Sequence, residues 1–196
     1  GESSPNKTIE GVRLFLEKNK TKDDFILNLF GNETEIKKNL KDKKIISNQI
    51  KITNTNSVVS DDDTPLTAIK NSKDTSMWKS IRSQIDGDSD ISLSAGNTGV
   101  LLVISKMILK MMKNISKPAL AGLWPNKKGL SIVLDLGANI ECDANNFIDF
   151  AELGSALSKS LSPNEIPKVA LLNIGSEEMK GTDELKGAFK KLRGLS

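Results

Sequence analysis

The chain has 196 residues, of which 37% are hydrophobic and 27% charged, and its formal net charge is +3 at pH 7. That balance is ordinary for a globular protein with enough chain for a sizeable core, while so small a net charge and an aromatic content of 4% exclude the basic face and stacking platforms of a nucleic-acid binder. Histidine and tyrosine are absent and Cys142 is the one cysteine, which excludes His-based triads, His zinc sites, tyrosine acid–base roles and a disulfide framework, and predicts a reducing, cytoplasmic setting.

Helix-like and strand-like patterns alternate along the chain. Lys7–Asn19 carries Ile9, Val12, Phe15 and Leu16 at helical spacing. Phe25–Phe30 reads as a strand closed by Gly31. Asn32-Glu33-Thr34-Glu35 then resembles a capping box and opens a short helix to Asp42. Ile50–Thr53 reads as a strand, and the polar, acidic run 54–63 as a surface loop. Helices are predicted over Thr64–Asn71, Thr75–Ile85, 97–115, 144–161 and 182–193, and strands over 91–95, 131–136 and 168–174. Alternation at this spacing predicts an α/β fold, a mostly parallel sheet with helices on both faces, in a single domain over 1–196. The longest apolar stretch, from Gly99, meets Lys106 within a few residues, well short of the about 20 that a membrane span needs. No signal peptide is visible, although the first residue is Gly1 rather than methionine.

Three turns stand out: "SAGNTG" (94–99), "LDLGAN" (134–139) and "GSEEMKGT" (175–182). Each follows a predicted strand and mixes glycine with polar groups. In open parallel sheets, ligands bind beyond the carboxyl ends of the strands, and backbone N–H groups at a helix start favour an anion. Each turn alone also fits a plain connection. A GxGxxG pattern is absent from 94–99, and Lys180-Gly181-Thr182 inverts the order that a Walker A loop needs.

At these turns the sequence resembles the PlsX-type phosphate acyltransferases of bacterial phospholipid synthesis. The resemblance rests on "SAGNTG" (94–99), "KPAL" (117–120), "LDLGANIEC" (134–142), "LLNIGSEEMKGTDELK" (171–186), a weaker "KDTSM" (73–77), and an opening "GESSP" similar to the end of a Gly-Gly-Asp-x-x-Pro turn. It implies a Rossmann-like fold similar to phosphate acetyltransferases and isopropylmalate dehydrogenases. It also implies transfer of a fatty acyl group from acyl carrier protein to inorganic phosphate, giving an acyl phosphate for a membrane-bound glycerol-3-phosphate acyltransferase. The implied enzyme is a cytoplasmic homodimer in peripheral contact with the membrane, with no metal or organic cofactor. Glu2 stands where that family has aspartate, and Lys117 where an arginine is common. Against the family, the chain lacks the first strand and a long C-terminal part, so it reads as a fragment, incomplete relative to the family and a poor catalyst alone.

Such a reaction asks for little acid–base work, since it has to bring two anions together and stabilise an oxyanion. Gly96, Asn97, Thr98 and Gly99 are the candidate phosphate cradle. Lys180 is the candidate cation for phosphate or the thioester oxyanion, Asn139 the group that orients one of them, and Asp135 the group that orients Lys180. The bland readings are a helix N-cap for Asn97, a solvated lysine for Lys180 and an Asx turn for Asp135. Glu177 and Glu178 read as an acidic first turn rather than a metal site. Cys142, with no histidine to activate it, reads as a small hydrophobe rather than a nucleophile. Lys106, Lys110, Lys113 and Lys117 fall on one face of the predicted helix 97–115 extended to 117. They mark a docking face for an acidic carrier or a membrane, or else a solvated edge. Two other functions fit less of the pattern: a short-chain phosphate acetyltransferase using coenzyme A, and an inactive module that binds acyl carrier protein.

Overall fold

β1 (Leu27–Gly31) and β2 (Ile50–Asn54) pair in parallel, with Leu27 opposite Ile50 and Gly31 opposite Asn54. A parallel pair needs a crossover, and α2 (Glu33–Asp42) supplies it. Asn32 starts that helix as the sequence predicts, its side chain accepting from the Glu35 N–H at 3.0 Å. The Asn54 carboxamide accepts from the Glu33 N–H at 3.0 Å, so the end of β2 is tied to the start of α2. The fold class is therefore α/β, with β1–α2–β2 as its Rossmann-like unit.

The computed structural model describes residues 4–60, 62–64, 67, 72–127, 129–177 and 179–194. Glu2 and most of the predicted helix Thr64–Asn71 lie outside them. The chain divides into two units, Gly1–Lys110 and Met111–Ser196.

In the first unit, α1 (Asn6–Lys18) precedes β1 and buries Ile9 and Val12. Glu10 joins it to α2: its carboxylate takes Arg13 at 2.6 Å and Lys43 at 3.1 Å, and these hydrogen bonds hold its pKa down at about 2. After a 3-10 turn at Ser72–Asp74, Thr75 caps α3 (Ser76–Ile85), and Asn97 caps α4 (Thr98–Leu109). α3 and α4 pack together through Met77, Ile81, Val100, Ile104 and Ile108, with Trp78 and Leu101 at the margin. The i, i+4 run Val100–Ile104–Ile108 is the helical stripe that makes α4 form.

In the second unit, β3 (Ala121–Asn126) and β4 (Gly129–Leu134) form an antiparallel hairpin, with Asn126 opposite Gly129 at its tip. α5 (Ala144–Leu161) packs on β4, and α6 (Asp183–Arg193) packs on α5, burying Ala188. Asp143 opens α5 with a reciprocal capping box to Asn146. The helix approaches the hairpin closely at Gly154, where a Cβ would lie 2.9 Å from the Leu134 side chain.

The structure corrects several predicted elements. Residues 91–95 and 168–174 form no ladder among the described residues. A strand needs a partner for its backbone groups, and these runs instead leave Ile91, Leu93, Leu172 and Ile174 exposed. The 91–95 run is tethered through a side chain: the Ser92 hydroxyl donates to the Ser80 carbonyl at 2.6 Å and accepts from Gln84 at 2.9 Å. The predicted helix 97–115 stops at Leu109, where its buried stripe ends, and Lys110 turns to φ 66°. The lysine face predicted along 106–117 is therefore not one helix face. The strand predicted at 131–136 is the hairpin arm Gly129–Leu134, and its antiparallel partner β3 has no counterpart among the predicted strands.

Candidate functional site

In the first unit, the 94–99 turn is built by its own side chains. The Ser94 hydroxyl accepts from the Gly96 N–H at 3.2 Å. The Asn97 carboxamide accepts from the Val100 N–H at 3.1 Å and donates to the Asp63 carbonyl at 3.1 Å. Asn97 is thus the N-cap of α4, fixed also to the preceding loop. Helix geometry leaves the N–H groups of Thr98 and Gly99 without intrahelical acceptors, and both residues are exposed. An anion at this turn would meet those N–H groups at the positive end of the helix dipole.

Polar groups also gather at the carboxyl ends of β1 and β2, a placement that the sequence reading missed. Asp74 pairs with Lys79 at 2.6 Å, which lowers the Asp74 pKa, and Lys79 also donates to the Asn54 carbonyl at 3.4 Å. In the sequence the signal is the "KDTSM" stretch (73–77), which supplies Asp74 and ends two residues before Lys79.

In the second unit, the turn after β4 brings Asp135 and Asn139 together. Asp135 sits at φ 59°, left-handed backbone that aspartate tolerates better than most residues. The Asn139 side-chain nitrogen donates to Asp135 Oδ1 at 3.0 Å and to the Pro118 carbonyl at 2.8 Å. Both its hydrogens are spent, so Asn139 keeps Oδ1, an acceptor, as its remaining polar atom. In this geometry the side chain holds the turn in shape. Lys117 Nζ donates to the Glu141 carbonyl at 2.6 Å, and an open groove is lined by Lys117, Ala138, Asn139, Ile140 and Glu141.

Cys142 is partly buried beside this turn, its thiol 3.7 Å from Asp135 Oδ2. Burial pushes the thiol pKa up, the Asp135 carboxylate adds to the rise, and Lys117 opposes it. A raised pKa keeps the thiol protonated through neutral pH, the opposite of what a nucleophile needs. Iodoacetamide at pH 8 should therefore modify Cys142 more slowly than free cysteine, and Cys142→Ala should keep wild-type turnover. Rapid alkylation together with loss of turnover would make Cys142 a reacting group.

Lys180 lies two residues before Thr182, the N-cap of α6. Its side chain is exposed, and among the described residues its ammonium has no hydrogen-bond or ion-pair partner. Its backbone is held: the Lys180 N–H donates to the Glu177 carbonyl at 2.9 Å, and its carbonyl accepts from Asn173 at 3.1 Å. Gly181 closes the loop at φ 89°, with the Asn173 side chain 2.7 Å from where a Cβ would be. Any larger residue there would be strained and would displace Asn173. The loop thus presents a cation from a fixed backbone, while the Asp135 carboxylate is taken by Asn139 and Cys142. Among the described residues, no group of His, Cys, Asp or Glu side chains could hold a metal ion, and no helix is long and apolar enough to cross a membrane.

The family model described as "Fatty acid synthesis protein" matches residues 1–196. The chain is 47% identical over 192 residues to a protein named phosphate acyltransferase from Pelagibacter ubique (strain HTCC1062), covering 98% of this chain and 56% of the relative. It is 39% identical over 194 residues to one of the same name from Chelativorans sp. (strain BNC1), covering 98% of this chain and 55% of the relative. A phosphate acyltransferase from Brucella canis is 45% identical over 133 residues, 67% of this chain and 38% of its own length. The chain spans about half the length of the first two of these curated relatives. A family match along its whole length, with relatives at this identity, means that the chain belongs to the fatty acid synthesis protein family, that of the PlsX-type phosphate acyltransferases.

Proposed function

We propose that this chain carries part of an acyltransferase that moves a fatty acyl group from acyl carrier protein to inorganic phosphate. The observation that carries the reading is the match along the whole chain to relatives named phosphate acyltransferase. The built turns are compatible with it. Phosphate is the nucleophile: its oxygen attacks the thioester carbonyl, the carbonyl oxygen becomes an oxyanion, and collapse expels the carrier's thiolate and leaves an acyl phosphate. Gly96, Asn97, Thr98 and Gly99 form the cradle, with Asn97 shaping it as the cap and Thr98 and Gly99 offering N–H donors. Lys180 balances charge on phosphate or on the oxyanion. Asn139 and Asp135 keep the second turn in its working shape.

In this reading the two units belong to one α/β domain. The complete protein is a cytoplasmic homodimer touching the membrane peripherally, and its product goes to a membrane-bound glycerol-3-phosphate acyltransferase. The donor distinguishes the reading from a coenzyme A-dependent acetyltransferase. The complete gene product should consume long-chain acyl carrier protein far faster than acetyl coenzyme A, and the reverse preference would replace the reading. Asn97→Asp tests the cradle. Aspartate keeps the cap to the Val100 N–H but cannot donate to the Asp63 carbonyl, so the thermal midpoint should fall modestly and the KM is read on the folded protein. The added negative charge should raise the KM for phosphate about tenfold or more, the effect of roughly 1.4 kcal/mol of repulsion. An unchanged KM would remove this turn from phosphate binding.

A further inference from the structure

Ser116 sits just before the Lys117–Pro118 pair, and two residues of α5 grip it. Asp149 Oδ2 accepts from the Ser116 N–H at 3.1 Å and from its hydroxyl at 3.0 Å. The same hydroxyl accepts from the Asn146 side-chain nitrogen at 2.7 Å. Asn146 is only 4% exposed, and its own oxygen accepts from the Asp143 N–H at 3.0 Å, the reciprocal half of the capping box. One buried carboxamide therefore starts α5 and fastens Ser116 at once.

The residues after Ser116 reach the turn after β4 three times. Lys117 Nζ bonds the Glu141 carbonyl at 2.6 Å, the Pro118 carbonyl takes Asn139 at 2.8 Å, and the Leu120 carbonyl takes the Leu136 N–H at 3.3 Å. A turn with a non-glycine residue at φ 59° needs such support from outside itself. The support starts from a helix, the more rigid kind of element for holding a site.

We propose that Ser116 is a positioning residue for the Asp135–Asn139 turn: clamped by Asp149 and Asn146, it sets Lys117 and Pro118 so that the Pro118 carbonyl fixes the Asn139 side chain. This rests on the reading that the 135–139 turn belongs to the acyl-transfer site. Without the Ser116 hydroxyl, the Asn146 nitrogen loses its acceptor and Asp149 loses one donor. The strand of contacts to Asn139 slackens, and a small misplacement there lowers kcat rather than substrate affinity.

The test is a double-mutant cycle in the complete gene product, read as kcat per folded molecule, with the Asn139 side-chain NH₂ resonances followed by NMR. Ser116→Ala should lower kcat about tenfold with little change in either KM, and should shift and broaden the Asn139 NH₂ signals. Ser116→Thr, which keeps the hydroxyl, and Asp149→Asn, which keeps an oxygen acceptor, should each hold both readouts close to the wild-type values. Ser116→Ala combined with Asn139→Ala should be no slower than Asn139→Ala alone, because Ser116 acts through Asn139. Additive losses, or Asn139 signals unmoved by Ser116→Ala, would overturn the proposal. If the wild-type protein makes no acyl phosphate but Ser116→Ala still moves the Asn139 signals, the acyl-transfer reading fails and the clamp stands as a support of the turn alone.

Discussion

Lys180→Met in the complete gene product is expected to cut turnover by about 10² to 10³, the usual loss when a preorganised electrostatic stabiliser is removed. The thermal midpoint should not move. The side chain is exposed and makes no ion pair among the described residues, and the loop is held by backbone bonds that methionine keeps. Lys180→Arg keeps the charge and should recover part of the activity. The measurement is kcat and both KM values beside a thermal melt. Wild-type turnover in Lys180→Met would remove this lysine from the mechanism, and a lowered midpoint would mean that it serves the fold.

Ile104→Ala is expected to be the most damaging of the conservative core changes. Ile104 is fully buried between Val100 and Ile108 in the α3–α4 cluster. Truncating such a side chain costs about 2 to 5 kcal/mol, because the cavity closes only in part. Chemical denaturation of the wild type and the variant measures that difference. The loss bears on the site as well, since α4 carries Asn97, Thr98 and Gly99 at its start. Ile104→Val should cost about 0.5 to 1.5 kcal/mol, and the two variants together calibrate the packing. A cost near zero for Ile104→Ala would show that α4 is not anchored through this stripe.

What was legible in the sequence was mostly local. Asn32, three residues before Glu35, and Asn97, just before Thr98, cap helices as the sequence predicts, while Thr75 and Thr182, the first residues of two predicted helices, are their N-caps. Ala144–Leu161 is a helix over the predicted span. Strands were less legible, since a strand is completed by a partner that the local pattern does not name. The runs 91–95 and 168–174 are apolar and short, as strands are, yet have no ladder partner among the described residues. The converse holds for Ala121–Asn126, where Gly122 and Pro125 hide a strand that β4 makes real.

The same division runs through the site. Asn97 was legible as both cap and candidate ligand, because the N–H groups it organises are its neighbours in sequence. The engagement of Asn139 by Pro118 was not, since 21 residues separate them. Nor was the Ser116–Asp149 contact, which spans 33. Long-range contacts of this kind decide whether a polar side chain is offered to a ligand or spent on the fold.

In the proposed reaction phosphate itself takes the acyl group, without a covalent acyl-enzyme. The direct measurement is to incubate the complete gene product with acyl carrier protein loaded with a fatty acyl chain and with ¹⁸O-labelled phosphate, and to follow product and enzyme by mass spectrometry. Acyl phosphate retaining all of the phosphate's label, together with no acyl mass on the enzyme when phosphate is withheld, is the predicted result. An acyl adduct on the Cys142 peptide, or thioester loss that continues without phosphate, would contradict it.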